Sequence, residues 1–267
     1  MNKTEILSII NQKGGVGKTT TAINLAAGLA LKNKKILVID LDPQGNATTG
    51  LGLSNSESSA ETIYAVLNGT KKISDVIKKT QFQNLDLVTS NVDLSGLEVE
   101  TAGDSRRAFI LKEQIMAYLN DFRGKYEYIF IDCPPSLSLL TVMALVASNS
   151  LIVPLQTEFF ALEGLTQLMK TIERIKISLN SDLKIKGILL TMYDKRNKLS
   201  GQVEKEARDY FKEKVYSTVI PRNVRLSEAP SHGVPVLIYD KLCPGSKSYF
   251  NFTEEFLNKQ ETFESAA

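Results

Sequence analysis

The sequence predicts an α/β fold with a mostly parallel, twisted central sheet and helices on both of its faces. Short apolar runs alternate with helical patterns through all 267 residues, which is typical of βαβ connections. Several runs are almost continuously apolar, as expected for strands that are covered on both faces. A glycine-rich segment follows the first run, and ligands of parallel sheets bind at the carboxyl ends of the strands.

Eight apolar runs are the predicted strands. In chain order they are Ile6–Ile10, Ile36–Ile39, Leu85–Val88, Tyr128–Ile131, Leu151–Val153, Ile185–Thr191, Val215–Ile220 and Val236–Ile238.

Periodic apolar residues mark the predicted helices between these runs. They are Thr21–Leu31, two short helices within 61–80, Arg106–Phe122 and Glu163–Leu179, while Leu51–Ala60 is predicted to be a loop. Two of these helices are predicted to pack on the sheet, each through one apolar stripe. The stripe of Arg106–Phe122 consists of Phe109, Ile110, Ile115, Met116 and Leu119, and that of Glu163–Leu179 consists of Leu165, Leu168, Met169, Ile172 and Ile175.

The size and composition indicate one globular domain that spans residues 1–267. The chain has a mass of 29.5 kDa, with 43% hydrophobic and 23% charged residues. No apolar run approaches the roughly 18 residues that a membrane-spanning helix needs, and no signal peptide is recognisable. The two cysteines, Cys133 and Cys243, form no C-x-x-C pair, so a cytoplasmic protein with reduced thiols is expected.

The charge is unevenly distributed along the chain. The net charge is only +2, but residues 184–225 hold eleven Lys or Arg against five Asp or Glu, a local balance of +6. The remainder of the chain therefore carries −4. One basic face is expected, and a nucleic acid is a candidate partner. No helix-turn-helix or zinc-finger pattern is present, so this chemistry predicts contact with the phosphate backbone rather than sequence readout.

Residues 11–20, Asn-Gln-Lys-Gly-Gly-Val-Gly-Lys-Thr-Thr, lie between a predicted strand and a predicted helix, the context of a phosphate-binding loop. The glycines allow backbone N–H groups to approach an anion, and the following helix directs its positive end to the same place. Lys18 would bind the β- and γ-phosphates of a nucleotide, and the Thr19 hydroxyl would hold Mg²⁺. The candidate nucleotide-binding residues are Lys13, Gly14, Gly15, Val16, Gly17, Lys18, Thr19 and Thr20.

Two further strands end in acidic residues. Asp40 and Asp42 follow the run Ile36–Ile39, and Asp132 follows Tyr128–Ile131. Two like charges buried together, as at Asp40 and Asp42, are costly unless a cation or a positioned water shares the site, and a metal-bound triphosphate supplies a cation. Thr19 and Asp132 are predicted magnesium residues, with Asp132 as the carboxylate of a Walker B strand.

These motifs resemble the ParA/MinD group of ATPases, which have a deviant Walker A loop with an additional lysine. The resemblance rests on Lys13-Gly-Gly-Val-Gly-Lys-Thr-Thr20, Asp40-Leu-Asp-Pro-Gln-Gly-Asn46 and Asp132-Cys-Pro-Pro-Ser136. It implies a P-loop fold and hydrolysis of ATP with Mg²⁺. It also implies that Lys13 reaches across a homodimer to the partner's nucleotide, that Asp42 orients or deprotonates the attacking water, and that Asp40 supports the magnesium shell. Lys13, Lys18 and Asp42 are therefore the expected catalytic residues.

The segment from Val219 to Gly233 resembles the Soj/ParA branch, whose members partition chromosomes or plasmids. The resemblance implies that Pro221 and Asn223 border the adenine. It also implies non-specific binding of double-stranded DNA by the ATP-bound dimer, a ParB-like centromere-binding partner that stimulates hydrolysis, and a nucleoid-associated location. The chain begins too close to its first strand for the additional DNA-reading domain of some plasmid relatives. The candidate DNA contacts are Lys195, Arg196, Lys198, Arg222 and Arg225.

Two alternative functions remain open at this stage. The first is a MinD-like positioning ATPase that acts on a membrane or a protein scaffold, and the second is a cofactor-assembly ATPase. The basic stretch favours DNA, and the missing C-x-x-C disfavours a cluster carrier. Residues 252–267 hold Glu254, Glu255, Glu261 and Glu264 against Lys259 alone, so no stable membrane anchor is expected. Four apolar residues of this tail are predicted to pack on the body: Phe250, Phe252, Phe256 and Leu257.

Overall fold

A computed structural model of the chain describes residues 4–56 and 58–265, with side chains of the last helix described as far as residue 259. Within these residues eight strands form a single sheet. The strands are β1 (Glu5–Ile9), β2 (Ile36–Asp40), β3 (Ile77–Lys79), β4 (Leu85–Val88), β5 (Tyr128–Asp132), β6 (Ser150–Gln156), β7 (Lys184–Tyr193) and β8 (Val215–Pro221).

The helices lie between the strands and after β8, and short 3₁₀ turns adjoin several of them. They are α1 (Lys18–Leu31), α2 (Asn46–Gly50), α3 (Ile63–Leu67), α4 (Ile73–Val76), α5 (Leu97–Glu100), α6 (Ile110–Asp121), α7 (Leu139–Ala147), α8 (Ala161–Ser178), α9 (Lys198–Phe211), α10 (Val224–Glu228), α11 (Val236–Tyr239) and α12 (Pro244–Ser265).

The strand order β3-β4-β2-β5-β1-β6-β7-β8 places β1 in the interior of the sheet, between β5 and β6. Every neighbouring pair is parallel except β3 and β4. The predicted fold class is therefore confirmed. Because parallel strands end at the same edge, the loops that follow β2, β5, β1, β6 and β7 meet at the carboxyl edge of the sheet.

Residues of the inner strands alternate between the two faces and build two cores. On one face, Ile36 and Val38 of β2 belong to a core shared with α1 and α12. On the other face, Leu37 and Ile39 belong to a core shared with α3, α6 and α7. Each strand is therefore apolar throughout, because both of its faces are covered. A third core joins α8 to β6 and β7 through the stripe predicted for that helix, of which Leu165, Leu168, Ile172 and Ile175 are buried.

The last helix packs on the body, as predicted, through Phe252 and Phe256, which are fully buried, and through Leu257, which is half-buried. The prediction for Phe250 is wrong, since this ring is 41% exposed and lies beneath the Lys32 ammonium. The helix also lies very close to α1, because a Cβ on Gly28 would fall 2.2 Å from the Thr253 hydroxyl. The side chains of Glu261 and Glu264 and the residues after 265 lie outside the described part.

Three other predictions are wrong in part. Val236–Ile238 is not a strand but part of α11, where the Val236 N–H donates to Asn24 Oδ1 on α1. An apolar run of three residues cannot distinguish a strand from a buried helical turn. The short antiparallel edge strand β3 is missing from the prediction for 61–80, because its lysines do not have a strand composition. On α6 the buried residues are Leu111, Ile115 and Tyr118, whereas Met116 is exposed.

None of the helices in the described residues is both long and apolar enough to cross a membrane.

Truncating a buried ring of the last helix tests how far the fold depends on that helix. We expect Phe256→Ala to lower the free energy of unfolding by about 3–5 kcal/mol, because it leaves a cavity in a closely packed core. The matched control is Phe250→Ala on the same helix, whose ring is largely solvated and should cost less than about 1 kcal/mol. Equilibrium urea unfolding measures both values, and equal losses would contradict the packing described here.

Candidate active site

The loop between β1 and α1 has the conformation that anion binding requires. Gly15 and Gly17 have φ values of 74° and 87°, in the left-handed region that favours glycine. No atom lies within 4 Å of the position that a Cβ on Gly15 would occupy, so the loop faces open space there. The backbone N–H groups at the start of α1 face the same space.

Neighbouring elements hold this loop in place. Asn11 Nδ2 donates to the Pro154 carbonyl of β6 over 2.8 Å, and Gln12 Nε2 donates to the Gly164 carbonyl of α8 over 3.1 Å. The Thr191 hydroxyl of β7 donates to the Val16 carbonyl over 2.9 Å. The loop is thus positioned by the strands on one side of β1, and small movements of β6 and β7 will be transmitted to it.

Lys18 is buried at the first position of α1, and its ammonium donates to the Lys13 carbonyl over 2.9 Å. Burial lowers the pKa of this lysine, and the nearby carboxylates of Asp132 and Asp42 oppose the shift. The ammonium is therefore held close to the loop and partly desolvated, which strengthens its attraction for a phosphate.

Asp132 ends β5 beside Asp40, its register partner at the end of β2, and neither side chain has exposed surface. Its Oδ2 accepts a hydrogen bond from the Thr19 hydroxyl over 2.7 Å, while its Oδ1 is buried without a partner among the described residues. Burial, followed by the charge of Asp40, raises the pKa of Asp132 well above its usual value. A cation at Oδ1 would offset both the cost of burying the Asp132 charge and its repulsion by Asp40.

Asp40 binds the segment that follows it. Its Oδ2 accepts from the backbone N–H and the hydroxyl of Thr48 over 2.8 and 2.7 Å, and its Oδ1 accepts from the Asp42 N–H over 3.1 Å. Burial raises the pKa of Asp40 to about 6 despite these bonds. Both of its oxygens are thus in use within the chain, and its predicted part in the magnesium shell remains a prediction.

A cavity of about 570 Å³ opens in front of the loop. Gly15, Gly17, Lys18, Thr19 and Thr20 form one wall, and Asp42, Asn46 and Thr49 form a second. Pro230, Ser231 and Gly233 form a third, and Ile23, Pro135 and Met192 complete the lining. The volume is in the range of small-molecule sites. The residues present fit a nucleotide with Mg²⁺, because the glycine cradle and the buried Lys18 line one space with Thr19, whose hydroxyl is bonded to the Asp132 carboxylate with the unpartnered Oδ1.

Comparison with known proteins agrees with this geometry. A family described as AAA domain matches residues 4–185. The chain is 51% identical over 259 residues to the chromosome partitioning protein ParA of Caulobacter vibrioides, covering 97% of this chain and 96% of that protein. It is 49% identical to the chromosome-partitioning ATPase Soj of Treponema pallidum, covering 96% and 98% of the two chains. The chain belongs to the ParA/Soj family of chromosome-partitioning ATPases. It is therefore an ATPase.

A solved structure supports the same placement. Cobyrinic acid a,c-diamide synthase from Mycobacterium smegmatis, with a bound ATP analogue and magnesium, has a TM-score of 0.83. It is 32% identical to this chain, and the match covers 97% of this chain and 96% of that one. Nucleotide and magnesium thus bind to proteins of this fold.

The additional lysine of the ParA/Soj loop, Lys13, is paired within its own chain. Its ammonium forms an ion pair with Glu158, which follows β6, and its side chain remains 52% exposed. Its backbone N–H donates to Asn11 Oδ1, which fixes the turn before the glycines. Sequence reasoning missed Glu158, because 145 residues separate the two partners and only the neighbouring positions of β1 and β6 bring them together.

Pro221 and Asn223, predicted to border the adenine, do not line the cavity. Pro221 ends β8, and Asn223 precedes α10 with its Oδ1 buried and unpartnered among the described residues. Their role remains a prediction. The lining residues Pro230, Ser231 and Gly233 were not predicted for the nucleotide site, although the Pro-Ser-His-Gly turn lies in the segment that resembles the Soj/ParA branch.

The predicted DNA contacts follow two adjacent strands at the carboxyl edge and lie in the loops there and in the first turns of α9 and α10. Lys195, Arg196 and Lys198 follow β7, whereas Arg222 and Arg225 follow β8. The Arg222 N–H donates to the Tyr193 carbonyl. Hydrogen bonds from Arg196, with a smaller contribution from the charge of Arg222, lower the pKa of Asp194 to about 2. Two of the cations have acidic partners: Arg196 pairs with Asp194, and Arg225 pairs with Glu228 over 2.7 Å.

The buried carboxylate of Asp132 gives a test that is independent of turnover. Ionising a carboxyl group whose folded pKa is raised costs stability, and the cost grows as the pH rises above the unfolded pKa of about 3.8. We expect Asp132→Asn to raise the melting temperature of the nucleotide-free protein, on the order of 2 °C or more at pH 8 and less at pH 5. Differential scanning fluorimetry at both pH values, with the exposed Asp209→Asn as control, measures this. A decrease at pH 8 would contradict the assignment.

Proposed function

We propose that this ATPase moves or anchors DNA through a nucleotide-dependent homodimer that binds double-stranded DNA without sequence readout. The observation that carries the proposal is the position of the basic loops. Met192 lines the nucleotide cavity, and the basic segment 195–198 follows it after only two residues. Arg222 is hydrogen-bonded to the intervening Tyr193. A change in the cavity therefore reaches the basic surface within a few residues.

Different residues of the site are assigned to nucleotide binding and to hydrolysis. Gly15, Gly17 and Lys18 hold the phosphates, and Thr19 with Asp132 would hold Mg²⁺. When bound, the metal neutralises charge on the transferring phosphoryl group. Asp42 lines the cavity and orients the attacking water, while Asp40 positions Asp42 through its backbone N–H.

Two chains are needed to complete the site. In a single chain Lys13 is held by Glu158 and is half-exposed, so it can move to another acceptor. We assign its ammonium to the phosphates of the partner's nucleotide. Pairing would also align the basic loops of both chains, and doubling the phosphate contacts doubles the salt dependence of DNA binding. Hydrolysis then opens the dimer and releases the DNA.

The remaining parts of the proposal rest on the named relatives. A ParB-like centromere-binding protein would stimulate hydrolysis, the chain would act as one domain, and it would be found with the nucleoid in the cytoplasm. The alternative of a membrane-positioning ATPase is less well supported, because the rings of Phe252 and Phe256 on the last described helix are buried in the core and are not available to lipid.

Substitutions of the two loop lysines should distinguish nucleotide binding from dimerisation of the chain. Lys18→Ala should abolish nucleotide binding, because it removes the buried ammonium of the site. Lys13→Ala should retain ATP binding within about threefold but lose the ATP-dependent dimer. Fluorescent-nucleotide titration and sedimentation velocity measure the two properties. A Lys13→Ala protein that dimerises and hydrolyses ATP normally would remove the proposed exchange of lysines.

DNA binding should require ATP and should fall steeply with salt. In the hydrolysis-blocked Asp42→Ala protein with Mg²⁺, we expect binding of a random duplex with ATP but not with ADP. Arg225→Ala in that background should reduce the slope of log K against log salt by about 2, one contact for each chain. Fluorescence anisotropy across a salt series provides the measurement.

The control is Arg174→Ala, an exposed arginine near the end of α8, on the side of the sheet where β7 begins. It should leave the slope unchanged. Equal binding with ATP and ADP, or no binding with either, would overturn the DNA proposal.

A further inference from the structure

Two phenylalanine rings that follow β6 are exposed to solvent. Phe159 is 74% exposed and Phe160 is 67% exposed, and the rings meet edge to face with centroids 4.9 Å apart. A single exposed apolar side chain is ordinary, but two adjacent aromatic rings exposed together mark a contact surface. The pair plays no part in the nucleotide cavity described above, whose lining does not include it.

The pair lies beside the phosphate loop. Because β6 neighbours β1, the segment 158–160 lies next to the loop that follows β1. Glu158, directly before the rings, is the ion-pair partner of Lys13. Phe160 also lines a cavity of about 270 Å³ together with Lys13, Glu158 and Gly164. The exposed rings, the anion and the half-exposed lysine therefore form one patch, which we call the 158–160 surface.

We propose that the 158–160 surface is a contact surface for a second copy of this chain, with Phe159 as its apolar anchor. The inference rests on the proposed dimer and names residues that hold it together. A two-fold contact must be complementary to itself, since the same patch faces its own copy. The 158–160 surface satisfies this requirement through its apolar centre, because an exposed Phe159 ring can pack against the same patch of the other copy, whereas a patch of a single charge sign would repel itself.

Glu158 is a positioning residue in this scheme. In the single chain it holds Lys13 beside its own loop, so the nucleotide of a second copy must displace it. A partly exposed ion pair contributes at most about 1 kcal/mol, which is small enough for a phosphate to outcompete. The contact between Phe159 rings and the second copy would then offset the loss of the two ion pairs.

The test compares dimerisation in the Asp42→Ala background with ATP and Mg²⁺, by sedimentation velocity over a concentration series. We expect Phe159→Ala to weaken the dimer at least about tenfold, because each dimer buries two such rings. Nucleotide affinity of the monomer should be unchanged. The matched control is Tyr210→Ala, which truncates an equally exposed ring of another aromatic pair, Tyr210–Phe211 on α9, and should leave dimerisation unchanged.

A second variant tests the restraint by Glu158. Glu158→Gln removes the charge that holds Lys13, and we expect the dimer to tighten by about two- to tenfold. A weaker dimer in this variant would contradict the proposal that Glu158 restrains Lys13. Full dimerisation of Phe159→Ala, or an equal effect of Tyr210→Ala, would overturn the contact surface. If the Asp42→Ala protein itself stayed monomeric with ATP, the proposed function would fail instead, so the two failures are distinguishable.

Discussion

The structure depends on a concentration of negative charge at the carboxyl edge of the sheet. The register of β2 and β5 places the carboxyl groups of Asp40 and Asp132 side by side without exposed surface. Burial raises the pKa of both groups. The charge of Asp40 adds to the shift of Asp132 and that of Asp42 to the shift of Asp40, whereas the Lys18 ammonium opposes the shift of Asp132. Such a cluster is unfavourable in the nucleotide-free chain and becomes favourable when a divalent cation is shared. The nucleotide-free fold therefore carries an electrostatic free-energy cost that a bound divalent cation would remove.

The same charges organise the two segments that surround the cavity. Asp40 uses its oxygens to hold Thr48 and the backbone of Asp42, so the start of α2 follows any movement of the strand end. The chain after α2 continues to Gly52, which packs closely against Gly233. A Cβ on Gly233 would lie only 2.8 Å from the Gly52 Cα. The segment that contains Gly233 also contains α10 and its arginine. A continuous set of contacts therefore joins Asp42 to the basic surface.

The fold and the phosphate loop were predictable because their signals are local. Buried parallel strands are continuously apolar, and a glycine cradle needs its glycines and lysine in fixed order. What could not be predicted depends on contacts between distant segments. The helical state of Val236 is set by its hydrogen bond to Asn24, and the exposure of Phe250 depends on which face of α12 meets the sheet. The pairing of Lys13 with Glu158 follows only from strand order, and the third wall of the cavity comes from a turn near Gly233 that carries no phosphate-binding pattern.

In the proposed mechanism the single chain is incomplete. Its loop lysine forms an ion pair with Glu158 that is partly solvated and therefore weak. The charges around the nucleotide cavity are buried, whereas the cations proposed to contact DNA are exposed, and two of them are partly neutralised by Asp194 and Glu228. Buried interactions retain their strength in salt, but exposed ones are screened. The proposed function therefore implies that nucleotide binding depends less on salt than contact with a polyanion, which requires the exposed cations of two paired chains to act together.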